Sequence, residues 1–287
     1  MAMDRTPPQW LPPTAYQPAP APAPPPPARP RSGIRKFATP ILLGLLALLK
    51  WGKALLLLLP KAKLLTTSAS MLVSVGAYAL IWGWKFAVGF VGLLFIHEMG
   101  HYIQLRREGV KPSVMLFIPF LGAAVGARSL GGSALAEARV GLAGPILGSL
   151  ATAALIPIAI ATNDDFWYAL AFTGFFLNLF NLLPVVPLDG GRAMAAMAPW
   201  MWFVGFGLMV LLVFVWPNPI LLLIVLLGGF ETYRRWKHRK DPVEGNAQYY
   251  RVKPLHRLLV GGVYVALIVG LAVGMDLTHV VRTFDDA

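Results

Sequence analysis

The sequence predicts an all-α polytopic membrane protein with about six transmembrane helices and one small membrane-embedded β-hairpin. Three observations carry that expectation. Of the 287 residues, 57% are hydrophobic and only 13% charged, with a mean hydropathy of +0.64, whereas soluble domains carry about 25% charged residues. Long uncharged stretches recur from residue 66 to residue 275, as in a chain that crosses hydrocarbon repeatedly, although 199–216 and 219–233 are short. Between them, residues 111–132 contain Pro112, Pro119, Gly122, Gly126, Gly131 and Gly132, which break any helix and leave β-branched and aromatic pieces suited to a hairpin.

Taken in chain order, residues 1–37 are proline-rich, contain no apolar run and end in Arg29, Arg31, Arg35 and Lys36. They read as a disordered tail without a signal peptide. Residues 38–65 hold two leucine-rich runs interrupted by Lys50 and Lys53. Each lysine costs roughly 2.5–3.5 kcal/mol at a helix centre, so an interfacial amphipathic or membrane-embedded helix fits better than a full crossing. Spans are expected at 67–83 and 86–106 with a turn at Gly83-Trp84-Lys85, then at 138–161, 166–186, 199–216, 219–233 and 257–275. Residues 66–235 form the core. A basic loop follows over 236–256, and a last helix with a short tail over 257–287. Trp84, Trp167, Trp200 and Trp216 fall near span ends, where an interfacial belt places them.

The formal net charge of +12 would suggest nucleic acid in a soluble protein. Here it follows the topology, and no nucleic-acid partner is expected. If Lys63 lies on one side, alternation of the spans leaves 23 of the 25 Lys and Arg residues on that side. Only Lys85 and Arg282 lie opposite, among Asp164, Asp165, Asp276, Asp285 and Asp286. The positive-inside rule makes the basic side, with the N-terminal tail, cytoplasmic. The serine-poor N-terminus is unlike a transit peptide, which points to a prokaryotic plasma membrane.

The chain contains no cysteine, so a metal can be held only by histidine and carboxylate. His97-Glu98-Met99-Gly100-His101 places two imidazoles four residues apart on one helical face, able to reach a single ion. Glu98 lies about 100° further round the helix, positioned to accept a proton from water without ligating the metal. It precedes Arg106 by eight residues, roughly 12 Å at 1.5 Å per residue. The site is therefore inside the bilayer, near the cytoplasmic side, and water needs a polar opening to reach it.

A catalytic zinc takes three protein ligands and keeps one open position. Glu108 and Glu137 read as surface charges flanking helix ends, and Glu231 as one partner of a helix-end ion pair. His238, His256 and His279 fall at span ends. Asp189 differs. It lies in a segment broken by Pro184, Pro187, Gly190 and Gly191, and irregular backbone at membrane depth is tolerated only against protein or a water-filled cavity. Asn178 and Asn181 share a helical face upstream; each serves either as a donor to substrate or oxyanion or as a helix-to-helix hydrogen bond.

An apolar helix bearing H-E-x-x-H, followed by Asn181-x-x-Pro184-x-x-Pro187-Leu188-Asp189-Gly190 on a later span, resembles the site-2 protease family of intramembrane zinc metalloproteases. The resemblance spans roughly residues 66–235. It implies one zinc ion held by His97, His101 and Asp189, with Glu98 as general base. It also implies a hairpin around Gly122 beside the site, a helix-packing motif at Gly144-Pro145, and transmembrane protein substrates met within the lipid bilayer. Three readings then compete: a protease, a metal transporter, for which no internal repeat is found, and an inactive helix-binding scaffold, which the intact Glu98 disfavours.

Overall fold

The computed structural model describes residues 62–127, 132–240 and 246–279. The expected tail, most of the leucine-rich segment at 38–65 and the last residues lie outside these ranges. Helix α1 (Ala62–Trp82) is followed after one residue by α2 (Trp84–Arg107). The turn expected over three residues is thus Gly83 alone, at φ +80°. A two-stranded antiparallel hairpin follows, β1 (Pro112–Ile118) and β2 (Gly122–Ala127). Then come α3 (Ala134–Ala153), α4 (Leu155–Thr162), α5 (Asp165–Asn181) and α6 (Asp189–Met197). The described chain closes with α7 (Met201–Val215), α8 (Pro219–His238), the single turn α9 (Asn246–Tyr249) and α10 (Pro254–Thr278).

Four stretches among the described residues are long and apolar enough to cross a membrane: Lys63–Trp82, Trp84–Arg107, Ala134–Thr162 and Pro254–Thr278. About six were expected. The shortfall lies in α5, with 17 residues, in α7, with 15, and in α8, whose last turns are charged. Large side chains such as Leu72, Leu80, Phe214 and Leu258 point outward and are more than 70% exposed. Apolar surface on that scale belongs against hydrocarbon, and the protein is an integral membrane protein.

Helix α2 is the centre of the arrangement. Its buried positions Ala87, Phe90, Val91, Leu94, His97, Glu98, His101 and Leu105 repeat every three to four residues, so the H-E-x-x-H residues continue one packed stripe. That stripe packs on α3, and α3 packs on α6. One apolar cluster unites α1, α2, the hairpin and α5 through Tyr78, Phe90, Leu94 and Phe117. A second unites α3, α5, α6, α7 and α10 around Trp202, Phe175 and Leu271. Leu155 of α4 packs against both.

The hairpin forms where expected, with Leu116 opposite Ala124 and Phe117 opposite Ala123. Its turn carries two left-handed residues, Phe120 at φ +66° and Gly122 at φ +90°. Outer polar groups of β1 are occupied by α1. Thr67 Oγ1 donates to Met115 O (3.0 Å), Phe117 N donates to Ser70 Oγ (3.2 Å), and Phe120 N donates to Tyr78 OH (3.0 Å). Met115 and Phe117 therefore turn their peptide groups away from β2. By the alternation of an antiparallel ladder, their partners Val125 and Ala123 turn theirs toward the opposite edge.

Two further readings change. The segment expected to be a cytoplasmic loop from residue 236 is helical at both ends, α8 running to His238 and α10 starting at Pro254. Glu137 is no surface charge. It is 1% exposed and receives Arg235 Nη1 and Tyr249 OH, each at 2.6 Å, tying α3 to α8 and α9. Burial, reinforced by Glu137, pushes the Tyr249 phenol well above its ordinary value, so it stays a donor. Glu231 pairs with Arg234 at 2.7 Å and Arg235 at 2.8 Å, the helix-end ion pair the sequence suggests.

Candidate metal centre

His97 and His101 are four residues apart on α2 and both are buried, as are Glu98 between them and Asp189. Asp189 comes from the opposite direction. Helix α5 ends at Asn181, the chain turns through Pro184 and Pro187, and α6 begins at Asp189. The carboxylate thus sits in the first turn of a helix, where the macrodipole favours negative charge. Tyr264 of α10 donates its hydroxyl to Leu182 O at 2.5 Å, and buried Trp202 donates to Gly191 O at 2.7 Å. The two bonds hold the broken segment from both ends.

His97 Nε2 and His101 Nε2 each lie 3.1 Å from Asp189 Oδ2 and 3.2 Å from one another. The other ring nitrogens fix what these three atoms are. His101 Nδ1 faces Val140 O at 2.7 Å; a carbonyl only accepts, so Nδ1 carries the proton. His97 Nδ1 lies 2.8 Å from Asn178 Oδ1, while Asn178 Nδ2 donates to Gly174 O at 2.8 Å. The second bond fixes the amide orientation, so His97 Nδ1 is again the donor. A neutral ring with its proton on Nδ1 presents a bare Nε2 inward.

In that state two lone pairs and a carboxylate oxygen converge, an arrangement suited to a cation. At bonds of about 2.0–2.1 Å, tetrahedral ligands stand about 3.3–3.4 Å apart, close to the observed spacing. These are the only His or acidic residues among those described that cluster in this way. The donor set fits one zinc ion per chain, with three protein ligands and one position left open. It is also completed by outer partners of the kind that orient metal-binding imidazoles.

The profile of peptidase family M50 matches residues 85–164 and 156–203, the stretch from α2 to the start of α7. Residues 85–203 are similar to that family. The resemblance to the site-2 proteases therefore holds over less than half of the chain, including every residue of the metal centre. A zinc metalloprotease of Methanocaldococcus jannaschii is 31% identical over 123 residues, which cover 41% of this chain and 35% of that protein. A Mycobacterium tuberculosis protein named as a zinc metalloprotease, Rip3, is 36% identical over 141 residues, 43% of this chain and 34% of its own. The chain spans about a third of the length of the curated relatives it matches.

Within the matched segment and the hairpin the other expected site residues fall at different places around the centre. Asn178 is fully buried and its amide is spent on His97 and Gly174, which places it behind the ligand. Asn181 is half-buried, one turn onward, and donates Nδ2 to Leu177 O at 3.1 Å. Gly122 lies in the hairpin turn. Gly144 is packed so closely that a Cβ there would collide with the His101 ring. Sequence reasoning missed the Val140 carbonyl, because a backbone acceptor leaves no trace in residue identity. A cavity of about 290 Å3 lined by Pro187, Arg192, Glu231 and Arg235 opens beside the Asp189 segment.

Proposed function

We propose that this chain is an intramembrane zinc metalloprotease that hydrolyses peptide bonds in transmembrane or membrane-proximal segments of other proteins, the chemistry of regulated intramembrane proteolysis. The observation that carries the proposal is the convergence of His97 Nε2, His101 Nε2 and Asp189 Oδ2 at 3.1–3.2 Å, each ring being held by a bond at its other nitrogen. When bound there, zinc supplies Lewis acidity, polarising a carbonyl and acidifying water.

The chain's own residues supply the rest. Glu98, buried beside His97, takes the proton from the attacking water and delivers it to the departing amine, so hydrolysis yields one new carboxylate and one new amine. Asn178 and Val140 keep the two rings in the metal-binding tautomer. Asn181 is assigned to the oxyanion. The cavity beside Pro187, where Arg192, Glu231 and Arg235 are the charged groups of the lining, is assigned as the entry for water. A transmembrane helix hides its amides and must unwind before attack; the unwound stretch then joins the hairpin by strand addition. The reading gains support from the capping of β1 by α1, which leaves β2 with the open edge. Cleavage takes place near the cytoplasmic side of a prokaryotic plasma membrane, the side assigned by the charge distribution.

Glu98→Gln tests the assignment. It should retain zinc and lose cleavage of a single-span substrate by about 10²–10⁴-fold, the usual contribution of a positioned acid–base group. Normal cleavage by this variant would refute the role given to Glu98.

A further inference from the structure

A groove runs along the seam between α3 and α10 and meets the H-E-x-x-H stretch at Gly100. Its first part, about 480 Å3, lies where the C-terminal half of α2 meets the starts of α3 and α10, with walls including Ile146, Leu259 and Val263. Arg107, Arg139 and His256 line the same part. These three belong to the last turn of α2, the first turns of α3 and the first turn of α10, so they mark one end of the groove. A second part, about 370 Å3, shares Ile146 with the first and continues past Gly270 to Leu277. Its lining is apolar apart from Ser149, whose hydroxyl is bonded to Pro145 O.

From His256 to Leu277 is 21 residues of α10, about 31 Å at 1.5 Å per residue. The groove thus follows most of a hydrocarbon thickness, with basic groups at one end and apolar walls along the remainder. The shared Ile146 makes the apolar walls continuous along that length, as an extended acyl chain requires. Arg139 is already engaged by Glu108, at 2.8 Å and 3.0 Å, whereas Arg107 has no ion pair among the described residues. A cation is therefore left at headgroup depth, on the leaflet where anionic lipids collect if the basic side is cytoplasmic.

We infer that this seam is a binding site for one anionic phospholipid, its headgroup at Arg107 and an acyl chain along Ile146, Leu259 and Val263. The inference does not rest on the peptidase reading: the groove touches the H-E-x-x-H stretch at Gly100 and is lined by none of His97, Glu98, His101 or Asp189. The test uses the full chain reconstituted in vesicles of equal parts phosphatidylcholine and phosphatidylglycerol, then mass spectrometry of the lipid retained by the intact protein. Wild type should retain phosphatidylglycerol in preference. Arg107→Gln should lower that preference about fivefold, the worth of one basic side chain near an anionic surface. Ile146→Trp, filling the wall common to both parts, should release lipid of either kind. Arg106→Gln should change nothing, because Arg106 lies over the Tyr102 ring and outside the groove. Equal retention of the two lipids by wild type would overturn the inference, as would equal losses in the Arg106 and Arg107 variants. So would a photo-crosslinking residue at position 259 that captures protein instead of lipid.

Discussion

Asn178→Ala isolates the outer partner of His97 from the metal itself. Asn178 is 1% exposed, accepts from His97 Nδ1 at 2.8 Å and donates to Gly174 O at 2.8 Å. Truncation leaves the His97 N–H without an acceptor in a buried setting, which costs about 1–3 kcal/mol. That cost falls on the tautomer whose Nε2 is free, so it shifts the ring toward the form that cannot ligate. Converted to affinity, it is about 5- to 150-fold, overlapping the 10–100-fold typical of lost outer partners of metal ligands. The assay is competition for zinc against a chromophoric chelator, with helix content followed by circular dichroism. Asn178→Asp should recover most of the loss, because its carboxylate accepts the same bond. Zinc affinity of the alanine variant within about twofold of wild type would refute the reasoning.

Other expectations are as direct. Asp189→Ala leaves two imidazoles and no anion, so metal per chain in protein purified without chelator should fall well below one. Gly144→Ala drives a methyl into the His101 ring, and overpacking of this kind costs about 1–3 kcal/mol; it should weaken zinc binding, while Gly76→Ala, with open space around it, should not. Glu137→Ala removes the α3 partner of Arg235 and leaves it Glu231 alone. Losing one member of a buried pair costs about 3–5 kcal/mol when nothing replaces it; with Glu231 retained the loss should be smaller, seen as a lowered midpoint of thermal unfolding.

The metal centre was legible because its signals are local. H-E-x-x-H writes a helical face directly into spacing, and prolines and glycines around Asp189 announce a broken segment where the alternatives are uninterrupted helices. The hairpin was legible for the same reason. Glu137 was misread because its partners, Arg235 and Tyr249, stand 98 and 112 residues away, beyond any periodicity. An acid in the first turn of a helix capped by Ser133 looks the same in sequence whether water or an arginine faces it. Asn178 resisted assignment because an amide on an apolar helix fits several partners until the opposing helix is known. Four of the expected spans have the length and apolarity of a crossing, whereas α5 and α7 carry apolar composition over 17 and 15 residues.

The capping of one hairpin edge by Thr67, Ser70 and Tyr78 gives the sheet a handedness of use. With one side of β1 closed, a third strand can be added only along β2, through the peptide groups of Ala123 and Val125. A partner laid there engages every second amide and leaves the intervening ones idle. An N-methyl scan along a bound peptide should therefore alternate between tolerated and forbidden positions, with a period of two that reports which amides the sheet reads.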